Sequence, residues 1–186
     1  MLVRANSYCI SPARLGVCRA NIGGNNLVTI NLMQLSDIFI RLGEENFKQL
    51  LRAVSLGRLK TYQLFDPFRI RLHLNKLNSE TLRNAAPRVW ARLQEPDSGD
   101  LATEIGQAVL VSHMDMIKAV LDELGVPHED GFFAKDADIA AHLSEGWQQR
   151  AWEKFKSAYP PAALVFYLNH LAWEVTKAED VFAPAA

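Results

Sequence analysis

DLATEIGQAVLVSHMDMIKAVLDEL, residues 100–124, is the stretch on which the fold turns. At 100° per residue, Leu101, Ile105, Val109, Met116, Ile117, Val120, Leu121 and Leu124 spread over an arc of about 200°. A narrow polar strip of Glu104, Gln107, Asp115, Lys118 and Asp122 is left on the other side. So little polar surface predicts one long helix near the centre of a helical protein, capped by Asp100 and stopped at Gly125-Val126-Pro127. His113 falls at the middle of the apolar arc and is expected to be buried. There it is either a hydrogen-bonded core histidine or a ligand or base on the floor of a cleft.

Helical spacing continues on both sides of this segment. Upstream, Leu32, Leu35, Ile38 or Phe39, and Leu42 predict a helix ending at Gly43. Phe47, Leu50, Leu51 and Val54 mark a second helix over 44–54, with Glu44 and Glu45 at the positive end of its dipole. Leu82, Ala85, Ala86, Val89, Trp90 and Leu93 give a third over 80–94, which Pro87 should kink. Downstream, Ile139, Leu143, Trp147, Ala151 and Phe155 continue the period over 138–158, with a division at Gly146, and Pro160-Pro161 opens a last helix to about Lys177. Residues 68–75 stay open. Phe68, Ile70, Leu72 and Leu74 alternate as in a strand, yet Asp66-Pro67 also suits a helix start, and Leu27–Leu32 is the one segment able to pair with them. The expectation is mainly α: a single helical bundle of six to seven helices over 27–186, with room for a small two-stranded element joining 27–32 to 68–74.

The 186 residues carry 20 Lys or Arg, 21 Asp or Glu, 49% apolar residues and two cysteines. That is long enough to bury roughly 70% of the unfolded chain's surface without a metal or disulfide staple. No apolar run approaches the roughly 20 residues of a membrane span, so no membrane partner is expected. The near-neutral total hides a polarity. Residues 1–95 hold 14 basic and 6 acidic side chains, net +8, whereas residues 96–186 hold 6 and 15, net −9. Complementary halves favour packing or head-to-tail association, and a basic face for nucleic acid is the less favoured use of the first half.

Residues 1–26 lack acids and end in Gly23-Gly24-Asn25-Asn26, which predicts a basic, weakly ordered leader. Transit peptides and over-extended start sites share this composition. Cys9 and Cys18 have neither zinc nor Cys-x-x-Cys spacing, and no apolar stretch is long enough for a secretory signal, so a reducing, cytoplasmic setting is expected.

No nucleophile elbow, phosphate-binding glycine loop, dinucleotide fingerprint, zinc helix or calcium loop occurs. No metal is indicated, and which cofactor, if any, the chain uses and whether it is an enzyme stay open. His128-Glu129-Asp130-Gly131-Phe132-Phe133 reads as a solvated turn whose two phenylalanines return to the core. The last helix is more informative. Leu164, Tyr167, Leu168, Leu171, Ala172 and Val175 form its main apolar face, while Phe166, Asn169, His170, Trp173 and Lys177 lie across from it. Such a face lines a ligand pocket or an interface, or else belongs to a helix buried on both sides with its polar groups bonded. His170 and Glu174 form an i,i+4 pair. The candidate ligand or partner face is thus Phe166, Asn169, His170, Trp173 and Glu174, with His113.

The reading ranked first is a non-enzymatic interaction or regulatory protein that self-associates or binds another protein. Second is an enzyme or small-ligand binder with a cleft near His113 and the 166–173 face, and third a nucleic-acid binder using the basic half.

Overall fold

Gly43 shows how tightly the helices are joined. At φ +85, where a side chain would be strained, its N–H reaches the Phe39 and Ile40 carbonyls and closes α1 (Leu35–Leu42). Its own carbonyl then accepts from Phe47 and opens α2 (Glu44–Ala53). A single residue thus turns one helix into the next. Leu35, Ile38, Phe39 and Leu42 point inward from α1, as Phe47, Leu50 and Leu51 do from α2.

The computed structural model describes residues 33–55, 79–178 and 180–184. The expected leader 1–26 and the expected strand pair 27–32 with 68–74 lie outside them. The described residues all fall in one compact unit. Its remaining helices are α3 (Ser79–Leu93), α4 (Gly99–Ser112), α5 (Met114–Leu124), α6 (Trp147–Phe155) and α7 (Pro161–Thr176), with a 3₁₀ turn at Ala140–His142. The fold is mainly helical, with seven α-helices and one two-stranded antiparallel sheet among the described residues. That sheet, β1 (His128–Glu129) with β2 (Phe132–Phe133), lies in the segment read from sequence as a plain turn.

Two expectations need correction. The long helix 100–124 is two helices that meet at His113, whose φ of −127 and ψ of 33 leave the helical region. Just before the break, the Ser112 hydroxyl bonds back to the Ala108 carbonyl at 2.7 Å while accepting the Ser55 N–H at 3.2 Å, a serine-to-carbonyl bond of the kind that bends helices. The most deeply buried helix is accordingly α7, with every residue from Ala162 to Asn169 buried together with Leu171 and Ala172. α3 runs as one helix of 15 residues with Pro87 inside it.

Around α7 stand α1, α2 and α6; α4 packs on α1, α2, α3 and α5. Phe39 is the hub, stacked on Phe166 at 4.8 Å and edge-on to Phe47 at 5.6 Å, with Trp90 beyond Phe47 at 5.3 Å. Gly106 lets α4 approach this cluster: a Cβ there would lie 2.7 Å from Leu35 Cδ2 and 3.6 Å from Phe166 Cζ.

Candidate functional site

The outer face of α7 is partly covered by the chain itself: Phe166, Asn169 and Trp173 meet remote segments, while Glu174 and Lys177 stay exposed. Phe166 is fully buried against Phe39. Asn169 is 2% exposed and uses its whole amide. Its Nδ2 donates to the carbonyls of Val165 and Phe182, both at 2.9 Å, and its Oδ1 accepts the Phe182 N–H at 2.7 Å. Trp173, half-buried, donates its indole N–H to the Met33 carbonyl at 2.8 Å, with the Lys177 ammonium 5.6 Å from its ring. These residues fasten the segments at either end of the described chain to the core.

His170 sits between the rings of Phe166 at 6.0 Å and Trp173 at 5.8 Å. Burial drives its pKa down to about 4, so the imidazole is neutral at ordinary pH. Glu174 Oε2 lies 3.5 Å from its Nδ1, and desolvation raises the Glu174 pKa against the opposing pull of Lys177. A base this weak is a poor proton acceptor near neutrality, where general acid–base catalysts are poised. His170 and Glu174 stand as an i,i+4 pair, with the imidazole mostly buried and the Glu174 carboxylate half exposed.

His113 is partly buried at the α4–α5 joint, its Nε2 enclosed without a hydrogen-bond partner and its pKa lowered by desolvation. Glu104 Oε2 and the Tyr167 hydroxyl are enclosed and unpartnered as well, with both pKa values raised by burial. These three groups belong to separate elements. A cleft of about 410 Å³ opens elsewhere, against Arg41, Leu42, Asn46, Trp152, Val165 and Val181, and neither His113 nor His170 lines it. Among the described residues no three His, Cys, Asp or Glu side chains are grouped to hold a metal ion. No helix there is long and apolar enough to cross a membrane.

The hairpin 128–133 is what sequence reasoning missed, and the signal was available. Asp130 and Gly131 stand at φ 52 and 91, both positive, as a type I′ turn requires, and Asp-Gly is a leading sequence mark of that turn. The pairs are His128 with Phe133 and Glu129 with Phe132. Neighbours on a strand face opposite ways, so Phe133 packs on the core while Phe132 is 66% exposed. The hairpin is also well anchored. His128 Nδ1 accepts the Gly131 N–H at 3.2 Å, which leaves Nε2 to donate to Asp122 Oδ1 at 3.1 Å. Lys118 holds Asp130 at 3.0 Å, Ala134 N–H reaches the Pro127 carbonyl at 3.0 Å, and Gly131 is pressed against Met114 and Ile117 of α5. Between residues 115 and 138 the carboxylates of Asp115, Asp122, Glu123, Glu129, Asp130, Asp136 and Asp138 are all exposed, against Lys118 and Lys135.

No protein-family model, curated protein or solved structure matches this chain.

Proposed function

We propose that this chain is a non-enzymatic interaction protein that associates with a second copy of itself, the acidic hairpin end of one molecule meeting the basic N-terminal half of another. The observation that carries this reading is Phe132, a large apolar side chain 66% exposed on a hydrogen-bonded hairpin, with Glu129 its cross-strand partner and Asp130 in the adjoining turn. Aromatic anchors with a polar rim are the usual anatomy of a contact surface, and a rigid anchor loses little conformational entropy on binding. Charge supplies the complement: the first 95 residues carry net +8 and the rest −9. Eight of the fourteen basic residues of that first half lie in segments 1–32 and 56–78, outside the described residues. Such a contact joins unlike surfaces, so it closes into a ring or grows open-ended. The sparse, unmatched cysteines support a cytoplasmic setting.

Sedimentation velocity tests the reading. Association is expected at low ionic strength and should weaken as the Debye length falls from about 10 Å near 0.1 M salt to about 3 Å near 1 M. A monomer at both salt concentrations, over a wide range of protein concentration, contradicts it.

A further inference from the structure

The described residues near the end of the chain occupy a groove that they do not fill. After α7, Lys177 takes a left-handed turn at φ 54, and the chain returns along the helix so that Phe182 lies beside Asn169, thirteen residues earlier. Asn169 bonds both the N–H and the C=O of Phe182, reproducing the two bonds that a residue exchanges with its partner across an antiparallel ladder. Those bonds recognise backbone, while the partly buried Phe182 ring packs on the core and adds its own hold on the segment. Beyond Phe182 the chain is small: Ala183 and Pro184, with Val181, form one wall of the cleft of about 410 Å³. Leu42, Trp152 and Val165 add apolar lining, and Arg41 and Asn46 polar groups. That volume falls within the range of about 300–1,000 Å³ typical of ligand clefts.

We infer that this groove is a peptide-binding site, in which residues 180–184 are a tethered occupant and the better ligand is an extended segment carrying a bulky apolar residue at the position of Ala183. Recognition combines a sequence-independent backbone clamp with a pocket for one side chain, the division of labour found wherever an extended peptide is bound by main-chain hydrogen bonds. The fully used Asn169 amide fixes the register, and the unfilled volume beside Ala183 sets the preference. This inference is independent of the hairpin, which lies on another element.

The test uses the full chain and a fluorescent, capped peptide, Asp-Val-Phe-Leu-Pro, which copies 180–184 with leucine in the fourth place. In the wild-type chain the tethered segment competes at an effective concentration on the order of millimolar, so anisotropy should report weak binding. Phe182→Gly loosens the occupant and should bind the peptide at least about tenfold more tightly, the change that a loss of about 1.4 kcal/mol from the competitor gives. Adding Asn169→Leu to Phe182→Gly should abolish binding. In the intact chain, Ala183→Leu should slow amide exchange at Phe182 by filling the cleft. The inference is overturned if Phe182→Gly, folded by circular dichroism, binds the peptide no better than wild type, or if Ala183→Leu leaves exchange at Phe182 unchanged. It is overturned too if Ala183→Leu converts the protein to a dimer, since the occupant would then be the same segment of a second copy.

Discussion

Helix α7 and the hairpin 128–133 spend their side chains in opposite ways. On α7 the amide of Asn169, the indole N–H of Trp173 and the ring of His170 all turn inward onto the chain itself. On the hairpin an apolar ring, Phe132, is turned outward while its polar neighbours Asp130 and His128 pin the turn to α5 and to itself. Asn169 and Trp173 on that helix face satisfy backbone groups brought from far along the chain. The more telling feature is an apolar group without cover in a segment too well anchored to fold it away.

The comparison breaks most visibly at Phe166. If it is core on the outer side of α7, Phe166→Ala should lower stability by about 3–5 kcal/mol, read as a fall in denaturant midpoint at unchanged slope. A loss near zero would reopen that face as a surface.

His170 sharpens the same point through pH. Its folded pKa, about 4, lies below the ordinary 6.5, so the unfolded chain takes up a proton that the folded chain refuses. Stability should therefore be full above about pH 6.5 and decline as pH falls toward about 4, by about 3 kcal/mol for this group alone. The lowered pKa of His113 acts in the same sense, and the raised pKa of Glu174 opposes both in the acid range. Melts of wild type and His170→Gln across this window should differ in slope; parallel curves would mean that the imidazole is hydrated.

On the hairpin, Gly131→Ala introduces a side chain at φ 91 and a Cβ 2.7 Å from Met114 Cε. A local cost of about 2 kcal/mol is expected, seen as faster amide exchange over 128–133 with the rest of the chain protected as before. Unchanged exchange there would show that the turn is not held as described.

Legibility followed the range of the forces involved. Gly43, Gly125 and Pro161 announced helix ends, and the apolar spacings over 35–42, 44–53, 79–93 and 161–176 announced buried faces, because capping and periodicity are local. The break at His113 was hidden, since an apolar arc continues across it and Ser112, beside the break, takes a bond from Ser55, 57 residues away. Trp173 could not be assigned to the core from its helix alone, because its partner, Met33, is 140 residues distant. The two-sided burial of α7 was one of two readings its face allowed, and deciding between them needed those remote partners. Phe132 was a different kind of omission. Asp130-Gly131 encodes a hairpin locally, and strand alternation then separates Phe132 from Phe133.

The central claim is that α7 holds the molecule together while the hairpin meets a partner. Sedimentation velocity at low salt, comparing Trp173→Ala with Phe132→Ser, tests it most directly. Trp173→Ala should weaken the fold by about 3 kcal/mol and leave association intact wherever the chain is folded. Phe132→Ser should change stability by less than about 0.5 kcal/mol and yield a monomer. The reverse result, association lost with Trp173→Ala in a folded chain and kept with Phe132→Ser, would contradict the account and return the binding surface to α7.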